Sequence, residues 1–535
     1  MILNQDKLNS YVRKFNEFDH ETFISSISNA QAEDWLKEQI PLLDCPDEDI
    51  EQTYYFRWWT FRKHVRDTPK GRIITEFLPD VEWAGPYNSI SCAVGHHLYE
   101  GRWLRDPGAI WEYVHFWYRG GGNLHSYSNW LPDALWALCK TTGNFQIAIN
   151  LLPNLIQAHQ KWEAEHIHSS GLFWSMDDRD GMEFSVSGSG LRTTLNCYMQ
   201  ANMRAISAIA GLAGKIDIQE EFSHKADVLK SLIQERLWDN KAGFYRCIPL
   251  PNRQDELSDR SFESMDQNKV GRELWGYLPW YFDIAGEGRD KAWQELFSNQ
   301  GFLGEYGLTS AERRHPMYSI CYTGQELFDW LKARGDSPER VNEKGHECLW
   351  HGPIWPYATT QAIKALASYL QTTATATVTA SDYVQVLSQY ARSHRRIRED
   401  GVILPWIDEN QHPDTGDWIA RTRLSEWENG TWASEKGGPE RGKDYNHSAY
   451  CDLVISGLFG LCPKENGIEI RPLLSGTDWK YACLDKVKCQ NHELTILYDS
   501  DGSRYNLGPG FKVFVDGELK VAFEKPQFCT IELRR

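Results

Sequence analysis

Two acidic segments carry residue types that could do bond-breaking chemistry. Residues 177–186 read Asp177-Asp178-Arg179-Asp180-Gly181-Met182-Glu183-Phe184-Ser185-Val186, just after Gly171-Leu172-Phe173-Trp174. Far downstream stands Trp406-Ile407-Asp408-Glu409-Asn410-Gln411-His412-Pro413-Asp414-Thr415-Gly416. Two carboxylates brought together by a fold can cleave a glycosidic bond, one protonating the leaving oxygen and the other, ionised, holding a water. Glu183 suits the acid, because Met182, Phe184 and Trp174 would raise its pKa by desolvation. Asp180 is the alternative acid. Glu409 suits the base, beside Asn410 and His412, with Asp408 as the alternative. The plain structural readings are an ion pair of the first cluster with Arg179 or Arg192, and a solvated loop carboxylate at Glu409.

Other polar and aromatic residues would supply binding groups. Trp83, Tyr87 and Asn88 lie in Trp-Ala-Gly-Pro-Tyr-Asn, followed by Gly95-His96-His97, whose histidines read as satisfied core residues. Tyr118-Arg119-Gly120-Gly121-Gly122-Asn123 is Gly-rich but has no phosphate-loop lysine. As a loop approaching a ligand closely, it would bring up Asn123, His125, Tyr127, Asn129 and Trp130 as partners for hydroxyls; as a plain tight loop it would only precede a helix near Leu131. Arg313-Arg314-His315 and Glu426-Trp427-Glu428 read as solvated surface, and His394-Arg395-Arg396 as a basic helix C-terminus.

The composition narrows the partners. With 535 residues and a net charge of −17, nucleic acid or an anionic membrane surface is an unfavourable partner. No apolar run has the length of a membrane-spanning helix. Met1-Ile2-Leu3-Asn4-Gln5-Asp6-Lys7 lacks the basic-then-apolar pattern of a secretory signal. The 12 cysteines form no Cys-x-x-Cys pair, which argues for reduced thiols in a cytoplasmic setting and against a zinc ribbon. The 23 Trp, 24 Tyr and 22 Phe are numerous; most would fill the core, and the rest suit the flat C–H faces of sugars.

These groups must be positioned by helices. Residues 1–60 look helical. From about 85 to 460, amphipathic segments with apolar residues three and four apart alternate with Gly-, Pro- and Trp-rich loops: Leu131–Glu165, Leu195–Lys215, Gln219–Leu237, Gly271–Ile284, Gln325–Arg334, Pro356–Gln371, Asp382–Ile397 and Ser448–Leu461. Ala210-Gly211-Leu212-Ala213-Gly214 marks a helical hairpin. Successive hairpins predict an (α/α) toroid whose loops form a funnel at one end. After Leu461-Cys462-Pro463 the period changes to two: Gly467–Arg471, His492–Tyr498 up to the turn Asp499-Ser500-Asp501-Gly502, and Phe511–Val515 and Leu519–Phe523 flanking Asp516-Gly517. The expected division is a helical catalytic domain with an N-terminal helical extension over residues 1–462 and a small antiparallel β-sandwich-like module over 463–535.

Residues 171–461 resemble the six-hairpin glycosidases that include trehalase, the processing α-glucosidases of glycoside hydrolase family 63 and mannosylglycerate hydrolase. Gly181-Met182-Glu183-Phe184-Ser185 is similar to that group's Gly-x-Asp-(Phe/Asn)-Ser segment, with Glu183 at the position of the general acid. Leu237-Trp238-Asp239 with Gly243-Phe244-Tyr245-Arg246 resembles the loop after an outer helix. Trp350-His351-Gly352-Pro353-Ile354-Trp355-Pro356 resembles the Trp-Arg-Gly-Pro-Ile-Trp motif at the sugar subsite, with His351 in place of Arg. Glu409, with Pro413 and Thr415-Gly416 after it, resembles the Glu-x-x-x-Pro-x-Thr-Gly segment of the general base. Asn446-His447-Ser448 and Asp452–Leu458 resemble the closing helix.

The resemblance implies a mainly α, six-hairpin toroid acting as an inverting glycosidase on a small oligosaccharide or glycoside, without cofactor or metal. Glu183 or Asp180 would be the acid and Glu409 the base. The sugar contacts would come from Trp83, Tyr87, Asn88, Asn129, Trp130, Trp174, Trp350, His351, Trp355 and His447. A toroid phosphorylase, an epimerase or lyase working through His351, His412 or His447, and a non-catalytic sugar binder are the rival readings.

Overall fold

The computed structural model describes residues 2–23, 25–257, 261–321, 324–337, 348–373, 376–398, 400–419 and 442–533. A closed ring of helices forms the body. Val94–Gly101 packs on Leu131–Thr142, which packs on Thr193–Leu212, then Leu278–Tyr281, then Pro356–Thr372, then the turn Leu453–Leu458. Tyr450–Asp452 returns to Val94–Gly101 and to Glu48–Lys63, closing the circle. This is the predicted (α/α) toroid. Inner helices are buried almost all round, whereas Gln146–His166, Ile216–Arg236 and Ala380–Ser393 bury one face. That contrast is what a second, outer layer requires.

Local signals set the helix limits. Pro132 and Pro356 occupy first-turn positions, where a missing N–H costs nothing. Asp47 accepts the N–H of Ile50, and Thr379 with Asp382 forms a capping box. The expected long helix Leu131–Glu165 is broken at Gly143, whose φ of +74° ends one helix before Gln146–His166 begins. Gly271–Ile284 folds only as the short turns Leu274–Tyr277 and Leu278–Tyr281. The helix expected to reach Ile397 stops at Ser393, and Arg395–Ile397 pairs with Ile403–Pro405. His394-Arg395-Arg396 is therefore a helix-to-strand transition.

The C-terminal strands follow the period-two pattern. Tyr481–Cys489, His492–Asp499, Gly510–Val515 and Glu518–Phe523 form an antiparallel meander, and Asp516 (φ +51°) and Gly517 (φ +80°) make the tight turn. Leu461–Lys464, Gly467–Ile470 and Cys529–Glu532 form a second, three-stranded sheet. An element from the other end of the chain completes the larger sheet: Leu42–Asp44 pairs with Tyr481–Cys489. Asp44 there binds Lys7, Arg504 and Tyr505, and Asp485 accepts the N–H groups of Ile2 and Leu3. No described helix is long and apolar enough to cross a membrane.

Candidate active site

A cavity of about 290 Å³ opens at the end of the ring where the inner helices begin. That is the lower end of ligand-pocket size, about 300–1,000 Å³. Its walls come from the segments that run into those helices: residues 76–92, 127, 178–183, 348–357, 409 and 445–447. Four carboxylates line it, Glu76, Asp178, Glu183 and Glu409.

Glu183 sits on a tightly tied loop. Asp177 accepts the N–H of Met182 on its carbonyl (2.9 Å) and that of Phe184 on its carboxylate (3.2 Å). Gly181 and Phe184 both hold positive φ, +72° and +55°. For Phe184 this is a strained conformation that surrounding contacts must enforce. Arg192 enforces it from below. Its buried guanidinium donates to Asp180 (2.6 Å), to Ser185 Oγ (3.0 Å) and to the carbonyl of Gly188, and lies over the Trp275 ring. The Trp350-His351 pair grips the loop from the side. The backbone N–H of Trp350 donates to the Glu183 carbonyl (3.1 Å), and His351 Nδ1 binds the Phe184 carbonyl (2.8 Å). Desolvation pushes the Glu183 carboxyl well above the usual 4.5, and the charges of Asp178 and Glu409 add to the effect.

Glu409 enters from the other segment. Backbone bonds in both directions between Ile354 and Gln411 (2.9 Å each) tie this segment to the Trp350–Trp355 turn. The Cys348 thiol donates to Glu409 Oε1 at 3.4 Å. The loop 348–355 therefore touches both carboxylate-bearing segments and sets their relative position. Trp350 and Trp355 stack at 4.0 Å and 9°, a flat apolar wall beside the carboxylates. His447 lies in the same wall, buried beside the Glu409 backbone. Burial holds it well below its usual 6.5, so the ring is neutral and can both donate and accept. Trp83 stands at the mouth, 38% exposed.

Several expected residues lie away from the cavity, each for a reason. Asp180 is held by Arg192, Ser128 and Thr194 in a fully buried cluster, so it clamps the loop and does not line the cavity. His351 is buried against Trp330 (4.2 Å, stacked), and burial lowers its pKa to about 4; it is a neutral clamp and not part of the subsite wall. Asn88 spends its amide on Val81, Phe77 and Pro79, and Tyr87 points its ring at Phe116. Asn129 bonds to Leu124, Tyr127 and Leu131. Trp130 is core, between His96 and Tyr198, and Trp174 donates to Leu250. Asp408, the alternative base, does not line the cavity. Arg313 and Arg314 form surface pairs with Asp414 and Glu295, and the Glu426-Trp427-Glu428 cluster lies outside the described residues. Sequence reasoning missed Glu76, Cys92, Cys348, Tyr357 and Tyr445. Tyr445 had a signal, standing directly before Asn446-His447; Glu76 had none.

Residues 86–448 match the family described as "Mannosylglycerate hydrolase MGH1-like glycoside hydrolase domain". A solved structure named "Sialidase" is 33% identical over 99% of this chain with a TM-score of 0.84. The match spans 44% of that protein, so the chain is less than half its length. A GH63 mannosylglycerate hydrolase from Thermus thermophilus, in complex with Tris and D-glycerate, gives 12% identity and a TM-score of 0.48 over 76% of this chain and 100% of that one. A GH78 rhamnosidase of Bacillus sp. GL1 gives 14% and 0.48 over 89% and 41%. The chain belongs to the mannosylglycerate hydrolase MGH1-like glycoside hydrolase family.

Proposed function

We propose that the protein hydrolyses the glycosidic bond of a small oligosaccharide or glycoside with inversion, Glu183 acting as general acid and Glu409 as general base. The observation that carries this reading is the meeting of Glu183 and Glu409 in one aromatic-walled cavity, with the Glu183 carboxyl raised towards its protonated form. Glu183 delivers its proton to the departing oxygen, while Glu409 takes a proton from the water that attacks the anomeric carbon from the opposite face. Trp350, Trp355 and His447 receive the sugar, the rings against its C–H face and the imidazole on a hydroxyl. The inverting course follows from the likeness of both acidic segments to those of the six-hairpin enzymes.

A panel of oligosaccharides and 4-nitrophenyl glycosides, with mannosides, rhamnosides and sialosides included, tests the reading when the product anomer is followed by NMR. Inverted product independent of phosphate is expected. Glu409→Ala is expected to abolish turnover while the sugar still binds. Full activity in that variant overturns the assignment, and phosphate-dependent turnover moves it to a phosphorylase.

A further inference from the structure

Tyr127 lines the cavity beside the loop of the proposed acid. The next residue, Ser128, stitches the two loops together: its N–H donates to the Arg179 carbonyl (3.0 Å) and its hydroxyl to Asp180. The backbone of Tyr127 is fully engaged. Its N–H donates to Ser91 Oγ (3.1 Å), and its carbonyl accepts from Ser91 Oγ (3.3 Å) and from the Asn129 amide (3.1 Å). The half-buried ring is fixed as well. It packs against the apolar cluster of Phe77, Val81, Ile90 and Tyr445, and the Arg179 guanidinium lies 5.8 Å from its centroid. The hydroxyl is left over, with no hydrogen bond to a described residue. Burial, and then the Glu183 carboxylate, raises this phenol well above its usual 10, so at neutral pH it keeps its proton. At the mouth, Trp83 meets Phe77 of the same apolar cluster edge to face (5.8 Å, 86°).

We infer that Tyr127 is the hydrogen-bond donor to the leaving group, and that this group is a second sugar ring lying against Trp83 at the mouth of the cavity. The inference rests on the hydrolytic reading above and assigns the half of the substrate which that reading leaves open. Glu183 delivers its proton to the departing oxygen, so side chains that flank Glu183 flank the leaving group. A phenol can donate one hydrogen bond and accept another, which matches a sugar hydroxyl that does both. Trp83 presents a flat apolar ring at the entrance, where the C–H face of a sugar can cover it. A donor inside and a flat ring outside fit a polyhydroxylated ring that extends out of the cavity. The substrate class is therefore a glycoside whose leaving group is itself a sugar. An aryl or alkyl leaving group brings no hydroxyl to Tyr127.

The test uses an oligosaccharide and the 4-nitrophenyl glycoside of the same glycosyl unit, chosen by the panel. The ratio of kcat/KM on the first to kcat/KM on the second is compared in wild-type protein, Tyr127→Phe and Trp83→Ala. Tyr127→Phe is expected to lower the ratio about 2- to 10-fold, the effect of one neutral hydrogen bond. Trp83→Ala is expected to lower it too. A structural role would lower both activities alike and leave the ratio in place. An unchanged or raised ratio in Tyr127→Phe overturns the donor, and in Trp83→Ala it overturns the platform. Wild-type protein that cleaves aryl glycosides but no oligosaccharide overturns both. If no aryl glycoside is cleaved, titration calorimetry replaces the ratio: the affinity gained from the free monosaccharide to the disaccharide should shrink in Tyr127→Phe. An equal gain in both proteins, or no gain in wild-type protein, overturns the inference. If oligosaccharides stay intact as well, the hydrolytic reading fails separately, and the same titration still decides the subsite.

Discussion

Glu183 and Asp180 stand three positions apart with opposite fates, because one faces a cavity and the other faces an arginine. The raised pKa of Glu183 has a definite kinetic sign. A general acid works while protonated, so activity falls as pH rises through its pKa, and the basic limb of kcat/KM should lie well above 4.5. Glu183→Gln should remove that limb and lower kcat/KM by about 10²- to 10⁴-fold, less for 4-nitrophenyl leaving groups, which need little protonation. A pH–rate profile on a poor and a good leaving group checks both points. Much of the site was legible at this scale. Gly181-Met182-Glu183-Phe184-Ser185 and Glu409 carry their signal locally, and Trp350, Trp355 and His447 stand in short motifs beside Pro or Ser. Asn129 and His351 misled because a polar side chain that satisfies its own loop has the same letter as one that awaits a ligand. Glu76 was invisible because its partner Tyr445 lies 369 residues away.

The loops that present the proposed acid and base are built as elements with their own stability. Arg192 precedes the helix Thr193–Leu212 and gathers Asp180, Ser185 and Gly188 into one buried cluster. Removing one partner of a buried pair leaves the other charge uncompensated, at a cost of about 3–5 kcal/mol. Arg192→Met should therefore destabilise the protein by that order and slacken the strained Phe184 turn. Asp180→Asn combined with Arg192→Met should recover much of the stability without recovering kcat. Denaturant unfolding and kinetics on the same preparations check this. At this scale the sequence showed where helices lie better than where they end. Gly143 and Ser393 limit helices whose apolar period continues past them, because the tertiary partners of the next residues, a turn and a strand, outweigh propensity.

At the scale of the whole molecule, the ring closes through buried charge. Glu100, on the inner helix Val94–Gly101, accepts the N–H groups of Cys451 and Asp452 where Tyr450–Asp452 meets that helix. Desolvation raises its pKa to about 7, partly opposed by Arg57 and by those N–H groups. The folded form holds this proton more tightly than the unfolded chain. Stability is therefore lost as pH rises from about 4.5 through about 7, by roughly 3 kcal/mol in all. The same scan on Glu100→Gln should lack this component, so the difference between the two melting curves against pH isolates it. The closed ring was readable from repeated hairpins, but the partnership between the two ends of the chain was not. Leu42-Leu43-Asp44 is too short to show a period, and all three residues are buried.

That three-residue strand also bears on the order in which the protein can be made. Its partner, Tyr481–Cys489, lies more than four hundred residues later, and Ile2 and Leu3 wait for Asp485 across 483 and 482 positions. On a ribosome adding about 5–20 residues per second, the strand Leu42–Asp44 stays without its sheet partner for tens of seconds while the helices between gather around it. Loop-closure entropy for so distant a pairing is met only after the intervening ring has shortened the distance. The strand Leu42–Asp44 is thus a late latch, joining segments that lie more than four hundred positions apart.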